Sequence, residues 1–228
     1  YRKMPEIQHP PKKLEINKIY CMDSLDLLNN LEYKQADLIL TDPPYGINAS
    51  SGLSSGGRRY EDTWDSETPS KEVFDKILDI GIKIIICGGN FFLDKLPFKK
   101  SWIVWDKIGN MNSSKVYSDV ELLWTNFDRN ISTKYTVIQL GRIAEEKERF
   151  HPPQKPVKLF ENIIRCYTEE GDLVVDPYVG SGTTAIACKK LNRNYICGDI
   201  NQKYVDITLK RLSKIKPHSP KSEGDLFK

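Results

Sequence analysis

The sequence predicts an α/β fold built on a largely parallel sheet, and three observations carry this prediction. Short apolar runs, typical of buried strands, alternate with helical segments along nearly the whole chain. With 228 residues, 39% of them hydrophobic, the chain is long enough for one domain with a sizeable core. Four predicted strands end on an acidic residue: Asp23, Asp42, Asp176 and Asp199. Because ligands of such sheets bind at the carboxyl ends of strands, these acids mark a candidate site.

Seven strands and five helices follow from the apolar periodicity, the caps and the turn residues. The predicted strands cover residues 17–23, 37–41, 82–87, 101–105, 120–124, 173–175 and 195–199. The predicted helices cover residues 25–31, 70–80, 185–191 and 203–214, and a further one opens within residues 151–160 and runs to about residue 167. Ser24 and Ser70 suit the N-caps of the first two helices, and Pro156 lies in the first turn of the third.

The flanks and loops differ in composition from this core. We expect residues 1–15 to form a basic, flexible arm and residues 16–214 to form the main domain. Residues 215–228 are expected to form a polar tail. Residues 47–63 are rich in Gly and Ser and predict a mobile loop, which is either a lid that orders on substrate or a plain insertion. The basic segment 125–150 is either a solvated loop or an excursion that reads the substrate.

Composition narrows the class of protein. A net charge of +3 with a pI near 8.5 permits a nucleic-acid partner without requiring one. The five cysteines are scattered without Cys-x-x-Cys spacing, and there are three histidines, which argues against a zinc site and favours reduced, intracellular cysteines. No signal peptide and no membrane-spanning apolar run is seen. We therefore expect a cytoplasmic protein without a metal site or membrane association.

The strand over residues 37–41 delivers a rigid set of hydrogen-bond acceptors to the sheet edge. Proline fixes its own φ and keeps the preceding residue extended, so Asp42 and Pro43, followed by Pro44, form a stiff tip. The Asp42 carboxylate and the Pro43 carbonyl suit the two hydrogens of an exocyclic amine, and Tyr45 suits stacking on a flat ring. The alternative is that these residues form only a tight turn.

A second motif follows the strand over residues 173–175. The turn from Asp176 to Gly182 is rich in glycine, which allows close approach of a ligand to the backbone, and a helix follows it. The turn lacks the glycine spacing of a dinucleotide fingerprint and the lysine of a phosphate loop. Asp199, at the end of the next strand, suits ribose hydroxyls. A cofactor with an adenosine but no required phosphate, such as S-adenosylmethionine, fits best.

Both motifs together resemble the DNA amino-methyltransferases, and their order resembles the adenine-N6 enzymes of the β class. In that family the Asp-Pro-Pro-Tyr motif precedes the glycine-rich cofactor motif, as it does here over residues 16–214. The resemblance implies a Rossmann-like, seven-stranded, mostly parallel sheet with helices on both faces and a circularly permuted motif order. It also implies that residues 107–150 hold a small target-recognition segment.

The resemblance also implies roles for individual residues. The catalytic motif that holds a flipped base corresponds to Asp42, Pro43, Pro44 and Tyr45. The cofactor loop corresponds to Asp176, Pro177, Gly180, Ser181, Gly182 and Thr183. Further cofactor contacts correspond to Asp23 near the adenine, Asp199 on the ribose, and Lys155 near the methionine carboxylate. Asp42 is assigned to the cofactor site as well as to the catalytic motif. Three departures from the family pattern concern the cofactor site: Pro153 in place of Thr, Tyr178 in place of Phe, and Asp199 in place of Glu.

The implied activity is transfer of a methyl group from S-adenosylmethionine to N6 of adenine in a short double-stranded DNA sequence, with base flipping. The alternatives are methylation of cytosine N4 or of RNA, and a non-catalytic DNA-binding subunit of a methyltransferase complex. The short recognition segment is compatible with a homodimer or a partner protein. A bacterial or phage origin and a cognate restriction endonuclease are further implications of the resemblance.

Overall fold

A computed structural model of the chain describes residues 13–47, 66–112, 118–139 and 154–215, which contain eight strands and five helices. The strands are β1 (Lys18–Cys21), β2 (Ala36–Thr41), β3 (Gly81–Cys87), β4 (Trp102–Asp106), β5 (Val120–Thr125), β6 (Thr133–Thr136), β7 (Leu173–Asp176) and β8 (Asn194–Asp199). The helices are α1 (Ser24–Asn29), α2 (Lys71–Ile80), α3 (Val157–Tyr167), α4 (Thr183–Lys190) and α5 (Gln202–Ser213). All seven predicted strands and all five predicted helices are therefore present, with ends shifted by a few residues.

The strands form one sheet in the order β1-β8-β7-β2-β3-β5-β4-β6. Every neighbouring pair is parallel except the two pairs made by β5, which runs antiparallel between β3 and β4. In the centre β2 pairs directly with β7, with Leu38 opposite Val174 and Ile39 opposite Val175. The two motifs leave the carboxyl ends of these adjacent strands, so the topology places them side by side.

The helices cover both faces of the sheet, as predicted. One core cluster packs α1 and α2 on the sheet through residues such as Leu28, Phe74 and Ile77. A second cluster packs α3 and α4 on the opposite face through residues such as Phe160 and Ala187. Both faces of β2 are buried, which explains why its sequence is a continuous apolar run and not an alternating one.

Two predictions differ from the structure. The sheet has an eighth strand, β6, which pairs parallel with β4 at the sheet edge. Its residues Thr-Lys-Tyr-Thr contain no apolar run because the strand is only partly buried, so the sequence pattern did not indicate it. In addition, the N-cap of α1 is Asp23 and not Ser24, since the Asp23 carboxylate accepts hydrogen bonds from the backbone N–H groups of Leu25 and Asp26.

The N-cap prediction for the second helix is confirmed, since the Ser70 hydroxyl accepts from the Val73 N–H. Most of the predicted flexible arm and tail lies outside the described residues, as does the predicted mobile loop from residue 48 onwards. Residues 113–117 and 140–150 of the predicted recognition segment also lie outside them. None of the described helices is long and apolar enough to cross a membrane.

Phe74 is the residue of α2 whose removal we expect to cost most. It is fully buried, and its ring lies 5.0 Å from the ring of Phe92. Phe74→Ala should lower the free energy of unfolding by about 3–5 kcal/mol, because it leaves a cavity that the sheet and helix close only in part. Urea denaturation measures this change. Leu209→Ala on the exposed side of α5 is the control and should change stability by less than about 1 kcal/mol.

Candidate active site

Asp42, at the tip of β2, lies in a cluster of buried and half-buried charges. The Nζ of Lys155 donates to both carboxylate oxygens of Asp42, at 2.8 and 2.7 Å. The same Nζ lies 3.0 Å from Oε1 of Glu121, and Nζ of Lys107 lies 3.1 Å from Oε2 of Glu121. Two ammonium groups therefore face two carboxylates, and the formal charges of this four-residue cluster sum to zero.

The charges in the cluster change one another's pKa. Burial lowers the pKa of Lys155, but Asp42 and Glu121 more than reverse this, so the pKa lies above its ordinary value. Burial raises the pKa of Glu121, whereas Lys155 and Lys107 hold it below its ordinary value. Burial is the largest influence on the pKa of Asp42 and raises it above its ordinary value. Lys155 opposes this rise, and Glu121 adds to it. Lys155 is therefore a permanent cation at neutral pH.

Tyr45 contributes its hydroxyl to the same cluster. The hydroxyl oxygen lies 2.6 Å from Oδ1 of Asp42 and 2.8 Å from Oε1 of Glu121, and it accepts from Lys155 Nζ at 3.0 Å. Burial and the two carboxylates raise the pKa of Tyr45 well above its usual range, so the phenol stays protonated. Because it has a single O–H, it donates to one of the two carboxylates at a time.

The ring of Tyr45 is held by neighbours that follow β3. It stacks on the ring of Phe91, with 4.8 Å between centroids and 14° between planes, and meets Phe92 edge-on. Gly88 adopts φ +64°, and a Cβ at that position would overlap the Tyr45 ring. The glycine that stops the predicted strand therefore also makes room for the tyrosine.

The glycine-rich turn after β7 needs its glycines for two different reasons. Gly180 has φ +52°, and among the described residues no heavy atom beyond its chain neighbours lies within 4 Å of where its Cβ would be, so the backbone there faces open space. Gly182, the N-cap of α4, has φ +95°, and a Cβ there would lie 2.7 Å from Thr208. The Thr208 hydroxyl donates to the Gly180 carbonyl at 2.9 Å, so α5 fixes the shape of the turn.

Asp199 faces this turn from the end of β8. Its two carboxylate oxygens accept from the backbone N–H of Gly180, at 3.0 Å, and of Asn201, at 2.8 Å. Burial raises its pKa, and these two hydrogen bonds oppose the rise. Each oxygen keeps a lone pair for a further donor, which is what a ligand hydroxyl would need.

Asp176 points into the protein. Its carboxylate accepts from the Thr41 hydroxyl at 2.7 Å, from the Tyr178 N–H at 3.0 Å, and from the Thr184 hydroxyl. Burial raises the pKa of Asp176 to about 7, against the effect of the three donors. The residue joins the end of β2 to the cofactor turn, so its visible role is to hold the two motifs in register.

Ser181 and Thr183 fasten the segment before α3 to the turn. The Ser181 hydroxyl donates to the side chain of Gln154 at 2.9 Å, and the Thr183 hydroxyl donates to the Lys155 carbonyl at 3.1 Å. The backbone of Lys155 is thus held by the cofactor turn while its ammonium reaches Asp42. Residues 151–153, which include Pro153, lie outside the described part of the chain.

The structure therefore brings the predicted residues together in two neighbouring groups. Asp42, Tyr45 and Lys155 form the charge cluster, and Gly180 with Asp199 lines the open turn. Asp23 lies apart from the charge cluster as the cap of α1, beside Ser24, whose hydroxyl lies 2.7 Å from the Tyr178 hydroxyl.

Sequence reasoning missed Glu121 and Lys107. The signal available was a carboxylate inside an apolar strand, since Glu121 is followed by Leu122, Leu123 and Trp124. Ligand atoms of Asp42, Cys87 and Glu121 lie within 4.8 Å of one another, a spacing that a metal ion could use. The Lys155 ammonium contacts both carboxylates, however, and already supplies the positive charge they require.

Lys155→Met tests the charge balance of the cluster. At pH 8 we expect it to lower the free energy of unfolding by about 3–5 kcal/mol, because Asp42 and Glu121 then face each other without the shared cation. Their pKa values in the folded state should then rise above the unfolded values, so stability should be regained as the pH falls towards 5. Urea denaturation at the two pH values measures this. An equal loss at both would contradict it, and Lys190→Met, from the surface pair with Glu161, is the control.

Comparison with known proteins agrees with this geometry. The sequence model of the DNA methylase family matches residues 98–210. The type II methyltransferase M.HpaI of Haemophilus parainfluenzae is 29% identical over 231 residues, covering 86% of this chain and 74% of that protein. The type II methyltransferase M1.MboII of Moraxella bovis is 27% identical and covers 85% of this chain and 95% of its own length.

Solved structures show the same fold. The M1.HpyAVI–SAM complex superposes with a TM-score of 0.56 at 25% identity, covering 86% of this chain and 98% of the other. The cytosine-N4-specific PvuII DNA methyltransferase gives a TM-score of 0.59 at 18% identity, over 90% of this chain and 89% of the other, and supports the fold alone. The predicted Rossmann-like fold and the predicted resemblance are thereby confirmed: the chain is similar to DNA methyltransferases of the β-class type, and the matching family covers both N6 and N4 enzymes.

Proposed function

We propose that this protein transfers the methyl group of S-adenosylmethionine to N6 of adenine in a short double-stranded DNA sequence, after the base has left the duplex. The observation that carries the proposal is the position of Asp42. Its carboxylate stands at the carboxyl end of β2, beside the open glycine turn that follows the adjacent strand β7. An acceptor for an amine and a cradle for an adenosine cofactor therefore lie next to each other.

The residues of the turn fit the cofactor. The open space at Gly180 admits a ligand to the backbone, and the free lone pairs of Asp199 suit ribose hydroxyls. When bound, S-adenosylmethionine supplies an electrophilic sulfonium methyl group. Gly180 and Asp199 would hold it, with Pro177, Ser181 and Thr183 shaping the turn and Asp23 at the adjoining end of β1.

Asp42 would act on the amine of the target base. An exocyclic amine is a poor nucleophile because its lone pair is delocalised into the ring. A carboxylate that accepts one amino hydrogen, together with the Pro43 carbonyl accepting the other, stabilises positive charge as it develops on the nitrogen. No strong base is required, since the methylated nitrogen would be cationic and acidic, and the proton that it loses would pass to the Asp42 carboxylate that already accepts it. Most of the rate would come from positioning and from these acceptors.

The choice of adenine rests on the Asp at the head of the Asp-Pro-Pro-Tyr motif, which favours adenine in enzymes that this chain resembles. Double-stranded DNA as the substrate is supported by the relationship to type II methyltransferases. We propose that residues 107–150 supply contacts to the target sequence, since the edge strand β6 and its exposed Lys134 lie in this segment.

Asp42→Asn should reduce methyl transfer by at least about 10²–10³-fold, because the amide oxygen is a weaker acceptor and its NH₂ group repels the amino hydrogens. The measurement is transfer of labelled methyl from S-adenosylmethionine to unmethylated genomic DNA, followed by digestion to nucleosides. Asp75→Asn is the matched control, since Asp75 pairs with Lys71 on the exposed side of α2.

Label in N6-methyladenine that disappears in Asp42→Asn would support the whole proposal. Label in N4-methylcytosine would support the proposed mechanism but show that the methylated base is cytosine and not adenine. Absence of label on DNA, with cofactor binding intact by calorimetry, would overturn the proposed substrate and favour RNA or a partner-dependent subunit.

A further inference from the structure

Glu121 stands where no motif predicts a functional residue. It lies in β5, the antiparallel strand, opposite Trp105 of β4, and its side chain is only 13% exposed. Oε1 lies 2.8 Å from the Tyr45 hydroxyl and 3.0 Å from Lys155 Nζ, while Oε2 pairs with Lys107. It therefore contacts the same two donors that occupy Asp42.

Those two donors occupy both lone pairs of one oxygen of Asp42. Oδ1 is contacted by Lys155 Nζ and by the Tyr45 hydroxyl, which lies 2.6 Å away, whereas Oδ2 accepts, among the described residues, from Lys155 alone. For Oδ1 to accept a hydrogen from the amine of a base, one of these donors has to leave it. A buried ammonium or hydroxyl that loses its acceptor without gaining another is strongly unfavourable, so the departure requires a second acceptor within reach.

We propose that Glu121 is a positioning residue that receives the Lys155 ammonium and the Tyr45 hydroxyl when Asp42 turns to the amine of the target base. The inference rests on the proposed function, because it assigns the acceptor of the amine to Asp42. No covalent bond is made or broken in this step. The Lys155 proton stays on its nitrogen, and hydrogen bonds move from Asp42 to a carboxylate that is already in contact.

The surroundings of Glu121 suit this role. Lys107 keeps it ionised from the side opposite Lys155, so it can hold Lys155 without becoming protonated. Within the part of the chain that the structure describes, the groups that face Asp42 and Glu121 are Lys155, Lys107, Tyr45, Cys87 and Asp176. Burial raises the pKa of the Cys87 thiol well above its usual range, so it stays neutral throughout the pH range of the assay.

The test is Glu121→Gln, which keeps the size of the side chain and removes its charge. We expect the single-turnover rate of methyl transfer, at saturating DNA and S-adenosylmethionine, to fall by about 10–100-fold. The dissociation constant of the cofactor should change by a smaller factor than the rate, because Asp199 and Gly180 are untouched. Glu161→Gln, which neutralises the carboxylate of a surface pair with Lys190, is the matched control and should match the wild type.

The pH profile separates this role from a merely structural one. The charge of Glu121 raises the pKa of Asp42, so Glu121→Gln should move the acid limb of the single-turnover rate to lower pH. Glu121→Asp keeps the charge and should keep the acid limb near its wild-type position, at a lower rate because the side chain is shorter. Thermal unfolding of each variant reports its folding.

Two results for Glu121→Gln would overturn the inference. The first is a single-turnover rate equal to that of the wild type. The second is a lower rate whose acid limb has not moved, in a protein that unfolds at a lower temperature than the wild type. If Glu121→Gln does not fold, Glu121→Asp provides the test. A shift of its acid limb from the wild-type position, or a rate equal to that of the wild type, would reject the positioning role of Glu121. The wild type reports separately on the proposed function, since an inactive wild type rejects that function, whereas an active wild type with unaffected Glu121 variants rejects only the role of Glu121.

Discussion

The site depends on one interaction, the buried ion pair between Lys155 and Asp42. Charges removed from water are tolerated only when they are paired and fully hydrogen-bonded, so the elements that carry them have to converge closely. The tip of β2, the start of β5 and the segment before α3 all meet at this pair. Its main contribution is geometric, because the cost of desolvating two ions offsets much of their attraction.

Sheet topology supplies the rest of the arrangement. β2 and β7 are far apart in the chain but are neighbours in the sheet, so the acceptor motif and the cofactor turn leave the same edge together. The hydrogen bond from Thr41 to Asp176 closes the contact between them. The order of the two motifs along the chain is then immaterial to the chemistry, because strand adjacency alone brings them together.

The four acids at strand ends show that position does not settle a residue's role. Asp176 is buried and accepts hydrogen bonds from three protein donors, and Asp23 caps α1. Asp199 keeps lone pairs free beside an open turn, and Asp42 shares its oxygens with donors that a neighbouring carboxylate can accept. What distinguishes them is the number and mobility of the donors around each carboxylate.

The amino-acid sequence alone determined seven of the eight strands, the five helices and both motifs, because apolar periodicity, prolines and glycines act within a few residues. Tertiary structure decided the pairing of β6, the inward turn of Asp176 and the place of Glu121 beside Tyr45. These depend on contacts between distant segments: Glu121 lies 76 residues from Tyr45, and Lys155 lies 113 residues from Asp42. A local sequence pattern cannot predict such partners, because they come together only when the chain folds and the charged side chains are buried side by side.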